Sequence, residues 1–371
     1  VRPRHVYVHV PFCARRCSYC DFSIAVRPTP PVAEYLSALR AELTLRYGKD
    51  APWEVDTLYF GGGTPSALGA GVADLISLLR EFVQPTESAE ITMEANPENV
   101  DVTSARAWRE AGITRLSLGA QSFDANTLAW MHRTHGADNI PRAVDVARSA
   151  GVENVSLDLI FALPRELGRD WEADLSRALA LRPAHISLYG LTVEPSTPLA
   201  HWVARGRTSP PDDDVYAEEF LFAHEMATTA GFDHYEVSNF ALPGRRSRHN
   251  SAYWSGVPYA GLGPSAHEFD GTTRRWNQAP YATWLAALRD GMDPVAGAEI
   301  LTAENHETES VYLGLRTSEG LVTKPGDESV LDSWADQHWV ERRAKRAVLT
   351  PTGWLRLDAL AADLTYARSR S

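Results

Sequence analysis

Cysteine is nearly missing from this 371-residue chain: Cys13, Cys17 and Cys20 are all it has, within eight consecutive positions. An odd number so closely spaced argues against a disulfide framework, which needs pairs that close useful loops. Long apolar runs are missing too. Nothing approaches the roughly 18 consecutive apolar residues of a membrane span. The N-terminus runs almost at once into "VYVHVPF", without the apolar core of a signal peptide. These two absences lead to the expectation of a cytoplasmic protein. No dense Lys/Arg run offsets the net charge of −12, so nucleic acid is a poor partner. Low-complexity tracts and internal repeats are absent as well. With 44% hydrophobic and 23% charged residues the balance is that of a chain able to bury a large core.

What is present is an alternation. Short β-branched or aromatic runs at 6–10, 57–60, 90–94, 115–119, 155–161 and 185–189 are each followed by a helical pattern. In the first of these patterns Leu36, Leu39 and Leu43 recur at helical spacing after Pro30 and Pro31. Gly112 and Gly151 sit where helices should end before the next strand. Six strand–helix units imply a parallel sheet with right-handed crossovers. The expected fold is therefore α/β, a partial (β/α)6 barrel over residues 1–191. Residues 192–280 read as a barrel extension, with a helix from about 212 to 231 and "HYEVSNFAL" as a strand. Residues 281–371 read as a small, mostly helical domain whose "LTPTGWLRLDAL" resembles the wing and helix of a winged-helix fold.

In such barrels chemistry gathers at the C-terminal ends of the strands. Here the first strand leads into the cysteines and the second into "GGGTPS". The third ends at Glu94, the fourth leads to Gln121, the fifth contains Asp158, and the sixth ends at Tyr189 and Gly190. Polar or glycine-rich groups at every exit point to one shared binding site. From spacing alone, CxxxCxxC admits three readings. It could hold an iron–sulfur cluster with one iron left open. It could hold zinc, completed by His5 or His9, or it could be coincidence. Phe12, Tyr19 and Phe22 would shield a cluster. The triple glycine reads either as a tight turn or as a place for close approach to a charged ligand; it lacks the spacing of a phosphate loop.

Together, "YVHVPFC…CSYCDF", "YFGGGTPS", "MEANPE", "LGAQSF" and "LDLIFALP" resemble the radical S-adenosylmethionine (SAM) superfamily. More narrowly they resemble oxygen-independent coproporphyrinogen III oxidases and their relatives, the HemW-type haem chaperones. The resemblance implies a 4Fe–4S cluster on Cys13, Cys17 and Cys20, with SAM filling the fourth iron position. It also implies SAM contacts from Tyr7, Tyr19, Gly62, Gly63, Thr64, Glu94, Gln121, Arg133 and Asp158, with Arg133 suited to the SAM carboxylate. Two departures favour the chaperone branch over the oxidase. Asp21-Phe22 stands where the oxidase pattern has a further cysteine, and "HNSAYW" matches the HNxxYW motif of the chaperones. By that likeness His249, Asn250, Tyr253 and Trp254 form a haem site, with Asn250 orienting the His249 ring and His267 a competing ligand. The expected partners are haem as cargo and an unidentified acceptor protein, a membrane-associated one included. The alternatives are an anaerobic coproporphyrinogen decarboxylase and, disfavoured by the acidic charge, a radical SAM methylase acting on RNA.

Overall fold

The computed structural model describes residues 2–48 and 51–370, so Val1 and Ser371, the outer bounds of the first and third expected segments, lie outside it. All six expected strands are present: β1 (His5–Val10), β2 (Trp53–Gly62), β3 (Val83–Ala95), β4 (Arg115–Gln121), β5 (Asn154–Phe161) and β6 (His185–Gly190). They lie side by side in chain order and are parallel throughout, with Tyr7 opposite Tyr59 and Met93 opposite Leu116. Between them run the helices Val32–Tyr47, Gly71–Leu79, Val102–Ala111, Asn139–Ser149 and Trp171–Ala180. Asp101 and Asp170 cap two of these helices, accepting from Ser104 N and Ala173 N. Such caps are worth about 1 kcal/mol each, because the first turn of a helix has no internal partners for its N–H groups. Gly112, at φ 117°, ends the third helix in the left-handed conformation that glycine tolerates.

The chain then extends the sheet at both edges. "HYEVSNFAL" is a tight antiparallel pair, β7 (Asp233–Glu236) and β8 (Asn239–Ala241), rather than the single expected strand. Glu236 explains the turn, since its carboxylate accepts from Ser238 N and Asn239 Nδ2 at the point where the chain reverses. β8 pairs antiparallel with β6. At the other edge β9 (Ala260–Leu262) adds parallel to β1. The helix Asp213–Thr229 stands where expected. The last ninety residues or so contain helices Ala303–Arg316, Glu328–Asp336 and Leu357–Ser369 with a small three-stranded sheet, in keeping with the wing expected there. One continuous apolar core runs from Val6 in β1 to Leu364 in the last helix. No helix among the described residues is long and apolar enough to cross a membrane.

Candidate functional site

The strands place polar side chains on the barrel interior at every second position. In β4 these are Arg115, Ser117 and Gln121, with Gly119 in the same alternation; β5 adds Asp158, and β6 adds Ser187 and Tyr189. Successive strand side chains face opposite ways, so one face of each strand packs on helices while the other lines a cavity. That cavity measures about 410 Å³ and opens at the C-terminal strand ends.

Its rim is the cysteine loop. After β1 the chain pairs Phe12–Cys13 with Ala25–Val26 and so closes a loop around Cys17 and Cys20. The buried Ser18 pins that loop: its N–H donates to Met131 O (3.1 Å), and its carbonyl accepts from Leu199 N (2.8 Å). Arg16 donates to Cys20 O at 3.0 Å. All three thiols are free and line the cavity. Cys13 Sγ lies 3.3 Å from Thr64 Oγ1, and Arg133 Nη1 lies 3.5 Å from Cys17 Sγ. Burial pushes the Cys13 thiol up, and the Cys20 thiol up to about 11. Ligation would therefore have to displace protons, as metal binding to thiols does. Among the described residues no three His, Cys, Asp or Glu side chains converge on a single-ion position.

The same cavity is lined by two acids, each among polar partners. Glu94 accepts from Tyr59 Oη (2.8 Å) and from Gly62 N (3.1 Å). Asp158 accepts from Ser117 Oγ at 3.0 and 3.1 Å. Burial raises both carboxyl groups, Glu94 to about 7; the Asp158 charge raises Glu94 further, while hydrogen bonds from Ser187 and Ser117 and the Arg115 charge restrain Asp158. Arg133 donates to Asn96 Oδ1 (2.6 Å) and Gly119 O (3.0 Å). The Nε atoms of Arg115 and Arg133 are buried without a partner among the described residues. Two buried guanidinium N–H groups without acceptors and two buried acids around one cavity fit a ligand carrying both carboxylate and amino groups. Free thiols beside them fit a cluster.

The helix Arg248–Trp254, capped by Ser247, separates this cavity from a second one. Asn250 lines the first cavity, while Tyr253 and Trp254 line the second. His249 is not among the lining residues of either. It is 1% exposed, with Nδ1 2.7 Å from Thr57 Oγ1 and Nε2 2.9 Å from Tyr253 Oη. Its ring stacks on Tyr59, and Tyr59 stacks on Tyr7. Burial lowers the His249 pKa to about 3, so the ring is neutral.

The radical SAM superfamily model matches residues 7–178. The haem chaperone HemW of Mycobacterium tuberculosis H37Rv is 40% identical over 98% of this chain and 95% of its own length. The Synechocystis HemW is 35% identical, covering 91% of this chain and 86% of its own. The chain belongs to the HemW family. Among solved structures, coproporphyrinogen III oxidase (HemN) of Escherichia coli superposes with a TM-score of 0.81, covering 98% of this chain and 90% of that one, at 24% identity. That likeness shows the radical SAM fold.

Within this HemW-family chain, Tyr19, Gly62, Gly63, Thr64, Glu94, Gln121, Arg133 and Asp158 are brought together with the three cysteines around the first cavity. Tyr7 is not; it lines the second cavity and bonds His9 through its hydroxyl (3.0 Å). Phe12 does not shield the cysteines either, since it is fully buried against Tyr35 and Tyr281. Asn250 does not orient His249; Thr57 and Tyr253 do so. Both ring nitrogens of His249, expected as a haem ligand, have hydrogen-bond partners here, Thr57 and Tyr253. Sequence reasoning missed Arg115, Asn96 and Ser187. The available signal was the polar residue at every second position of "RLSLGAQ", which marks an inner face in an otherwise buried strand.

Proposed function

We propose that this chain is a haem chaperone that carries a 4Fe–4S cluster on Cys13, Cys17 and Cys20, binds SAM beside it, and passes haem to an acceptor protein. Residues 1–191 would hold the cluster and SAM, residues 192–280 the HNxxYW helix, and residues 281–371 the winged-helix-like tail. The observation that carries this reading is the gathering of three free thiols with Arg133, Glu94 and Asp158 around one cavity. Curated HemW relatives aligned over nearly the whole chain supply the chaperone half of the reading.

When bound, the cluster and SAM supply one-electron chemistry at the barrel mouth. The chain's own residues have separate tasks. Arg133, whose buried Nε has no acceptor among the described residues, would offer its charge to a carboxylate. Glu94, held near neutrality by burial, can accept a hydrogen bond from an amino or hydroxyl group or hold a proton. Tyr19 and the apolar Ile160 cover the cavity against water. Phe22, 58% exposed, stands at the junction of both cavities, in the region where the oxidase pattern has another cysteine.

Anaerobic incubation of cluster-loaded protein with SAM and coproporphyrinogen III tests the reading against the decarboxylase alternative. The expected result is no decarboxylated porphyrinogen, together with stoichiometric haem binding. Turnover of coproporphyrinogen without haem binding would replace the chaperone by the oxidase.

A further inference from the structure

We propose that haem sits in the second cavity with His267 as its axial ligand, the helix Arg248–Trp254 forming the partition between porphyrin and thiols. This rests on the haem-chaperone reading and deepens it by assigning the seat.

The cavity comes first. It measures about 970 Å³, within the range of built ligand sites, and Phe22, Tyr253, Trp254, Tyr259, Phe269 and Tyr312 contribute rings to its wall. A flat aromatic macrocycle is what such a wall accommodates, since rings stack on a porphyrin face. Phe22, Gly62 and Glu94 belong to both cavities, so a porphyrin here would neighbour the cluster without occupying its place.

The ligand follows by comparing imidazoles. Two histidines line this cavity, His9 and His267, and His249 stands behind it. His9 is spent: Nδ1 lies 3.0 Å from Tyr7 Oη and Nε2 2.9 Å from Ser23 O. His249 is spent on Thr57 and Tyr253. His267 opens the short strand His267–Phe269, is exposed, and makes no hydrogen bond through its ring among the described residues. Trp276 stacks on its face at 5.9 Å and 23°, which fixes the ring plane and leaves its edge free. A neutral imidazole with a free edge and a fixed plane is an axial ligand in waiting.

Propionate pairing contributes less. Arg274, the one guanidinium in the described wall, is already paired with Glu299 (3.2 Å) and Glu309 (2.8 Å). Selectivity should therefore reside in the iron–imidazole bond.

Haemin titration of the full, cluster-loaded chain, followed by Soret absorption, tests this. His267→Ala should weaken binding at least about tenfold and move the Soret band, and added free imidazole should return the band to its wild-type position. His267→Met should give a third band position, because sulfur replaces nitrogen on the iron. Wild-type affinity and spectrum in both His267 variants would overturn the seat, as would a Soret change confined to His249→Gln. If the wild-type chain itself binds no haemin, the chaperone reading fails and the seat with it. Binding that ignores His267 removes only the seat.

Discussion

Arg133 reaches Cys17 across 116 positions of chain, its Nη1 3.5 Å from the sulfur, while its other terminal nitrogen donates to Asn96 and Gly119. One guanidinium thus ties the cysteine loop to the ends of β3 and β4. It holds a positive charge beside Cys17, where it would be available to a bound carboxylate.

The cluster prediction follows from the free thiols. Cys13→Ala, Cys17→Ala or Cys20→Ala should each abolish stable 4Fe–4S binding, since no fourth cysteine can substitute. Iron and sulfide analysis with visible absorption after anaerobic reconstitution measures this. A full-occupancy cluster in any single variant would refute three-thiol ligation.

Arg133→Ala should weaken SAM binding by about 2–5 kcal/mol, because it leaves a buried carboxylate unpaired. Arg133→Lys should recover only part of that, since an ammonium cannot serve two acceptors in one plane. Calorimetry on cluster-loaded protein decides, and unchanged affinity in Arg133→Ala would remove the assignment.

Gly62 has φ 110°, and a Cβ there would sit 2.5 Å from the His9 ring. Gly62→Ala should cost about 1–3 kcal/mol from backbone strain alone and should also disturb the Tyr7–His9 bond. Thermal denaturation of the cluster-free chain measures the cost. A variant as stable as wild type would show that the loop relaxes freely.

Acid should destabilise the fold through its buried imidazoles. Burial lowers His249 and His234 to about 3. Between about pH 3 and the ordinary 6.5 the unfolded chain binds protons that the folded chain refuses. Stability is therefore full above pH 6.5 and falls as pH drops below it. His249→Gln and His234→Gln should each reduce the slope of Tm against pH between about 6.5 and 4. Parallel slopes in wild type and variants would contradict neutral burial.

The six strands, their order and the cysteine loop were legible in the sequence, because each depends on local pattern: period-two and helical apolar spacing, glycine breaks, and thiols seven positions apart at the widest. The hairpin within "HYEVSNFAL" was not, because it turns on Glu236 capturing Ser238 and Asn239 rather than on a Gly or Pro. Family likeness singled out His249, yet its state depends on Thr57, 192 positions away, and on Tyr59 stacked beneath it. His267 differs from His249 in exposure and free nitrogens, neither of which local sequence encodes. Which imidazole is consumed by the scaffold and which remains for a ligand is decided only when distant strands close around them, because burial and hydrogen-bond satisfaction are properties of the packed structure.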